Sequence, residues 1–368
     1  MSKKINLAIL APSLNAYSET FIQAHKTYIN ANTSYYYNGL IPQSLEGKGT
    51  INPILKKGFN KLTAHIKNDK FWAEKKALKD SLKKEKIEVV LAEYGNLAAE
   101  ILPVCKELNL PLIVHFHGFD ATVYEVLKKY NNYKELFDYT SKVIVVSKVM
   151  ESQLIAIGCP KAKLVLNTYG PNDDFLTITP SLEKEQFIAV GRFTDKKAPY
   201  YTLLAFEKVV KKFPDAKLIM AGDGQLKNTC VNLVKYLQLE NNVEFPGIIT
   251  PTEFSSYLQK SRAFVQHSIT ADNGDMEGTP VAVLEASAAG IPVISTNHAG
   301  IPDVIIHNET GLLANEHDVE SMANSMIAVL EDKNKAKAMG LASKERIKTF
   351  FTMSKHIDKL NELIYSVK

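Results

Sequence analysis

The sequence predicts an α/β protein of two doubly wound parallel-sheet domains facing each other across a cleft. Three observations carry this expectation. Short apolar, β-branched runs alternate with helical patterns along the chain. These runs are apolar nearly throughout, as parallel strands covered on both faces are. Turn chemistry between residues 167 and 186 then divides them into two series. At 368 residues the chain is too long for one ordinary domain and suits two, each with its own core.

The first series has candidate strands at residues 4–10, 34–39, 87–93, 112–116, 143–147 and 164–167. Helix-like segments lie between most of them, as at 97–108 and 149–157. The second series places strands at 187–191, 217–221, 243–245, 263–267 and 293–296, and residues 319–368 read as helices. The divider holds Gly170-Pro171-Asn172-Asp173-Asp174 and Thr179-Pro180-Ser181, which puts the split near residue 180. Strand–helix alternation implies parallel sheets with helices on both faces. Ligands of such sheets sit beyond the carboxyl ends of the strands, so two facing sheets would hold a ligand between them.

A hydrophobic content of 45% and a charged content of 23% belong to a globular protein. No apolar run approaches the roughly 18 residues of a membrane-spanning helix. Lys3-Lys4 followed by Ile5 to Leu10 resembles a signal peptide, but the apolar run is short. Ser18-Glu19-Thr20 also stands where a cleavage region is expected, so the segment reads as a first buried strand. Cys105, Cys159 and Cys230 are scattered, which disfavours a disulfide framework or thiolate metal site and fits a reducing cytoplasm. The net charge of +4 is too small to argue for nucleic acid. From Lys56 to Lys86, however, eleven lysines face four acids, interleaved with Phe59, Leu62, Ile66, Phe71 and Trp72. This stretch reads either as a solvated helical face or as a contact with an anionic membrane surface. The expected location is the cytoplasm, with the inner face of the cell membrane as the surface such a contact would use.

The most informative segment runs from Asp275 through Met276-Glu277-Gly278-Thr279-Pro280 to Ala286. Thr279 suits a helix N-cap and Pro280 the first helical position, with Gly290 as the stop. The helix is apolar except for Glu285, a carboxylate costly to bury alone. Its partner would be a ligand hydroxyl or a basic side chain from elsewhere in the fold. Glu277 precedes the helix, where the amides of Val281, Ala282 and Thr279 would favour a phosphate. A carboxylate beside an anion site is awkward unless it holds a sugar hydroxyl or faces a developing cation.

Gly191-Arg192-Phe193-Thr194-Asp195-Lys196-Lys197 falls where a strand ends and a helix begins. Arg192 and Lys197 there suit a diphosphate; the alternative is a surface lysine pair at Lys196 and Lys197. His115-Phe116-His117-Gly118-Phe119-Asp120 closes a strand of the first domain. Spacing of two puts both imidazoles on one face, but no third ligand stands out, so no metal site is expected. His117 would reach the cleft, and His115 reads as a hydrogen-bonded core histidine. Ala221-Gly222-Asp223-Gly224 lacks the rest of a dinucleotide fingerprint and reads as a tight turn.

Together these segments resemble the GT-B-fold retaining glycosyltransferases of family four, which include bacterial lipopolysaccharide and phosphatidylinositol mannosyl and glucosyl transferases. The likeness is strongest from Phe187 to Leu313, with the Glu-x7-Glu pair Glu277 and Glu285, Gly290-Ile291-Pro292-Val293-Ile294, Ala299-Gly300-Ile301-Pro302 and Thr310-Gly311-Leu312-Leu313. In the first domain it rests on His117-Gly118-Phe119-Asp120 and on residues 167–175. Ser18-Glu19-Thr20-Phe21-Ile22 looks like a subgroup of exopolysaccharide synthesis. The first loop reads Pro12-Ser13-Leu14-Asn15, without the Gly-Gly pair of many relatives, so donor contacts from this loop do not carry over.

The resemblance implies an acceptor-binding Rossmann-like domain over residues 1–175, a donor-binding one over 176–350, and a helix at 351–368 crossing back to the first. Arg192 and Lys197 would bind the diphosphate, Glu285 the ribose hydroxyls, and Glu277 the transferred sugar. His117 would reach a far hydroxyl of that sugar, and backbone groups near Gly247 and Ile249 would meet the base. Gly278, Thr279 and Val281 complete the donor-binding set. A UDP-sugar is the first donor implied and GDP-mannose the second. The acceptor would be a glycan or lipid-linked saccharide, and the transferred unit a hexose or N-acetylhexosamine.

No Asp-x-Asp motif stands at a strand end, so cationic side chains and a helix terminus are expected to replace a divalent metal. With no evident nucleophile, attack by the acceptor on the face the leaving group departs from is expected. The rival readings are a GT-B-fold nucleotide-sugar epimerase and a non-catalytic nucleotide-sugar or glycan-binding protein.

Overall fold

The computed structural model describes residues 4–17, 19–52 and 71–368. It divides into two compact units. One comprises residues 1–146, 150–167 and 357–368, and the other 147–149 and 168–356. The expected boundary at residues 175 and 176 therefore falls eight residues too late. Thr168 to Phe175 pack with the second unit: Phe175 meets the Phe254 ring edge-on at 5.7 Å, and a Cβ at Gly170 would lie 2.3 Å from the Met353 nitrogen.

The first unit carries an eight-stranded sheet in the order β4-β3-β2-β1-β5-β6-β7-β8. Its strands are β1 (Asn6–Leu10), β2 (Asn32–Tyr37), β3 (Ser44–Leu45), β4 (Gly49–Thr50), β5 (Val89–Glu93), β6 (Leu112–His115), β7 (Lys142–Val145) and β8 (Leu164–Leu166). All pairings are parallel except β2 with β3 and β3 with β4. β5 and β6 are buried at every position, which explains their unbroken apolar character. The register sets Glu93 opposite His115 at the carboxyl ends of β5 and β6.

The second unit carries a wholly parallel six-stranded sheet in the order β11-β10-β9-β12-β13-β14. Its strands are β9 (Gln186–Val190), β10 (Lys217–Ala221), β11 (Val243–Gly247), β12 (Ala263–Val265), β13 (Val293–Thr296) and β14 (Gly311–Ala314). Phe187, Leu203, Phe206, Val209, Leu218 and Met326 build the core between this sheet and its helices. β14 was expected only as a motif, and β3 and β4 not at all.

The C-terminal helix Met353–Ser366 contributes its residues from Ile357 onward to the first unit. Ile357, Leu360, Leu363 and Ile364 are buried along one stripe, and Asn361 Oδ1 accepts from the Asn30 amide at 2.9 Å. Of the basic stretch, residues 53–70 lie outside the described residues. The remainder forms the helix Trp72–Lys84, which buries Leu78 and Leu82. No helix among the described residues is long and apolar enough to cross a membrane.

Candidate active site

Most candidate side chains of the second unit stand just past the carboxyl ends of its strands, the usual ligand-binding edge. After β9 the chain turns at Gly191, whose amide donates to the Ala221 carbonyl at 3.1 Å. The glycines of Ala221-Gly222-Asp223-Gly224 form the expected tight turn. Gly222 has φ +135°, and a Cβ there would fall 1.9 Å from the Gly191 carbonyl oxygen. The turn is thereby pressed against the Arg192 loop.

Lys196 and Lys197 do not form a surface pair. Lys196 is buried, donating to Asp275 Oδ1 at 2.8 Å and to the Met276 carbonyl at 3.1 Å. Lys197 Nζ lies 3.2 Å from Glu277 Oε2 and donates to Gln266 Oε1 at 3.2 Å. Consecutive lysines thus grip the loop before the next helix. Burial lowers the Lys197 ammonium, with Glu277 opposing. Burial alone would raise Glu277, but Lys197, Lys196 and His298 outweigh it and hold its carboxyl below the usual range. The pair is ionic. Glu277 Oε1 is buried without a hydrogen-bond partner among the described residues.

Lys197 lines an open cavity of about 320 Å³ together with Arg192, Gly191, Phe193, Thr202 and Gln266. Arg192 is exposed, and its side chain has no hydrogen bond or ion pair among the described residues. Two cations therefore line one opening, and a carboxylate, Glu277, is paired with one of them.

The helix after Glu277 spans Val281–Ala289, one residue later than expected. Pro280 has φ −63°, which a helix would accept, but its extended ψ of 119° makes it the N-cap. Val281 and Ala282 are consequently the first amides without intrahelical acceptors. Gly290 ends the helix in the left-handed region at φ +85°. Glu285 has no basic partner among the described residues, and burial pushes its carboxyl up to about 7. Gly278 and Thr279 are clamped from behind by Gly300, whose amide donates to the Gly278 carbonyl at 3.0 Å. Gly247 ends β11 and accepts from the Gly222 amide at 2.7 Å; Ile249 follows two residues on.

In the first unit, His117 lies two residues past β6. Its Nε2 is 2.8 Å from Glu93 Oε2, and its ring packs between Phe21 and Tyr94 at centroid distances of 4.6 and 4.5 Å. Tyr94 adopts φ +81°, a costly conformation for an aromatic residue, and its hydroxyl donates to Glu19 Oε1 at 2.8 Å. Asp120 accepts from the amides of Gly95, His117 and Gly118, which fixes the turn that presents His117. Burial pushes the Glu93 carboxyl up, with His117 opposing, and lowers both His117 and His25, the latter to about 3.

Sequence reasoning missed Glu93 and His25. His25 Nδ1 lies 2.7 Å from Glu93 Oε1, and the His25 ring stacks on His115 at 5.3 Å. A third ligand thus does exist near His115: His25, Glu93 and His115 offer ligand atoms within 4.8 Å of one another. The short contacts of Glu93 with His25 and His117 make this a buried carboxylate–imidazole network. His25, Glu93 and His115 are all fully buried.

A protein-family model for glycosyl transferases group 1 matches residues 176–346, and one for glycosyltransferase family 4 matches residues 54–167. The chain is 29% identical over 275 residues to the amylovoran biosynthesis glycosyltransferase AmsK of Erwinia amylovora, covering 74% of this chain and 68% of that protein. It is 27% identical over 224 residues to a GDP-mannose-dependent alpha-(1-6)-phosphatidylinositol monomannoside mannosyltransferase of Mycobacterium tuberculosis, covering 58% of each. The matched stretch thus spans between half and just over two thirds of these relatives. Among solved structures, Anabaena Alr3699/HepE in complex with UDP superimposes with a TM-score of 0.77 at 15% identity, covering 99% of this chain and 100% of that one.

Proposed function

Because the chain belongs to the GT-B glycosyltransferases of family four, we propose that it transfers a hexose or N-acetylhexosamine from a nucleotide-diphosphate sugar, with retention and without a divalent metal, to a glycan or lipid-linked acceptor in surface polysaccharide synthesis. A UDP-sugar is the first candidate donor and GDP-mannose the second. One observation carries this reading. Lys197 and Arg192 line one cavity, and Lys197 is paired with a carboxylate, Glu277, whose other oxygen is buried without a partner. That set suits a diphosphate bonded to a sugar.

In the reaction, the bond between the anomeric carbon and the diphosphate oxygen breaks, and its electron pair leaves with the diphosphate. The acceptor hydroxyl oxygen bonds to the anomeric carbon on the same face, and its proton passes to the departing phosphate oxygen. Arg192, Lys197 and the amides of Val281 and Ala282 would stabilise the leaving charge in place of a metal. Glu277 would hold the transferred sugar and face its developing positive charge. Glu285 would accept from the ribose hydroxyls, and Gly247 and Ile249 would meet the base. His117 is assigned a hydroxyl of the transferred sugar. Contact of the basic stretch with an anionic inner membrane face belongs to the same proposal.

The test is a thermal-shift panel with UDP, GDP, ADP, CMP and NAD, with and without magnesium. Anomer analysis of the transferred product follows. A ligand at about 100 times its Kd should add roughly 2.7 kcal/mol of apparent stability. A magnesium-independent shift with one nucleoside diphosphate and a retained anomer are expected. An inverted anomer would refute retention, and conversion of the nucleotide sugar without acceptor would point to an epimerase.

A further inference from the structure

Three strands of the second unit, β12, β13 and β14, are followed by Thr270, His298 and Glu316, and these residues meet. Glu316 Oε1 lies 2.6 Å from His298 Nδ1, and Oε2 accepts from the Thr270 amide at 2.8 Å. The other imidazole nitrogen, Nε2, accepts from the backbone amide of Glu277 at 3.2 Å. We infer that His298, oriented by Glu316, is a positioning residue for Glu277. This rests on the role given above to the Glu277 carboxylate.

The tautomer of His298 decides which contacts its ring can make. An amide N–H can only donate, so Nε2 must be bare, and the single proton of a neutral ring then sits on Nδ1 and donates to Glu316. Burial pushes Glu316 up, but the Thr270 amide and His298 outweigh it, so its carboxyl stays ionised and keeps that proton on Nδ1. The His298 side chain is fully buried, so its ring cannot turn toward water.

The effect on Glu277 is local. The Met276 carbonyl accepts from Lys196, the Glu277 amide donates to His298, and the Gly278 carbonyl accepts from the Gly300 amide. Three successive residues are held from three directions, and the carboxylate between them is presented to Lys197. His298 supplies the middle hold, and nothing else among the described residues bonds that amide.

Two near-isosteric variants separate the two ends of the ring. His298→Gln can keep an acceptor where Nε2 stands, whereas His298→Asn keeps a donor where Nδ1 stands and leaves the Glu277 amide without its partner. Nucleoside diphosphate release is measured from UDP-glucose, UDP-N-acetylglucosamine and GDP-mannose. Hydrogen exchange is followed in a peptide spanning residues 275–279, with the rest of the chain as the folding control. His298→Asn should lose about 100-fold in kcat, the scale of a misplaced catalytic group, with faster exchange confined to that peptide. His298→Gln should stay within about tenfold of wild type, and KM should change little in either. Equal losses of kcat in both variants, or unchanged exchange in His298→Asn, would overturn the inference. A wild type that releases nothing from any donor would instead remove the role of Glu277, while the exchange data still decide whether His298 holds its backbone.

Discussion

The Lys197 ammonium lies 3.2 Å from one oxygen of Glu277, and the other oxygen of that carboxylate is buried with no hydrogen-bond partner among the described residues. A buried acceptor left open costs about 1–3 kcal/mol, which a ligand hydroxyl would recover. Glu277→Gln should therefore lower kcat by about 100-fold or more, while UDP affinity measured by calorimetry changes by less than about threefold. A matching loss of UDP affinity would place Glu277 on the nucleotide instead.

Arg192 is exposed on the same cavity and its side chain has no partner among the described residues, so its removal leaves no buried charge behind. Arg192→Ala should leave the melting temperature nearly unchanged. Transition-state stabilisation should fall by about 2–4 kcal/mol, read from kcat/KM, by analogy with loss of an oxyanion donor. Near-normal kcat/KM would place Arg192 outside the site.

Desolvation of the half-buried Glu285 pushes its carboxyl up from an ordinary 4.5 to about 7 in the folded chain. The folded state thus holds this proton through a range in which the unfolded chain has released it. Stability from this group is full below about pH 4.5 and is lost as pH rises through about 7, for a total near 3 kcal/mol. Glu285→Gln should remove that dependence, so urea titrations should find the variant more stable than wild type at pH 8 and similar at pH 4.5. UDP binding at pH 8 should weaken in the same variant, since the carboxylate accepts hydroxyl hydrogens that an amide meets less well.

Gly300 is required for space rather than for an unusual φ. A Cβ there would fall 2.3 Å from the Gly278 carbonyl oxygen and 2.4 Å from Thr279 Oγ1. Gly300→Ala should cost about 1–3 kcal/mol in urea unfolding, as overpacking does. It should also reduce turnover by displacing the residues that follow Glu277. An unchanged midpoint with unchanged kcat would mean that the loop yields freely.

Most of this architecture could be read from periodicity, and the failures have physical causes. The long apolar strands and the split into two series were legible because burial on both faces leaves an unbroken signature. β3 and β4 are two-residue strands set among turn residues, too short for any pattern. β14 begins at Gly311, whose character masks a strand. Thr279 was expected to cap the helix because its type suits the position, but Pro280 stands there in extended geometry. Lys197 was visible in a motif, whereas its pairing with Glu277 is purely tertiary. Glu93, His25, His298 and Glu316 carry no local signal at all, since each acquires its partner only when elements distant in sequence come together.

Residues 357–368 complete the first unit, although the whole of the second is encoded before them. During synthesis, domains ordinarily fold in the order in which they emerge from the ribosome. Here the amino-terminal body must wait for the last helix to bury Leu360 and Ile364 against it, while the donor-binding candidate can close first. A nascent chain stalled short of residue 357 would therefore carry a finished second half and an unfinished first, which makes the newborn protein's beginning the part in need of a chaperone.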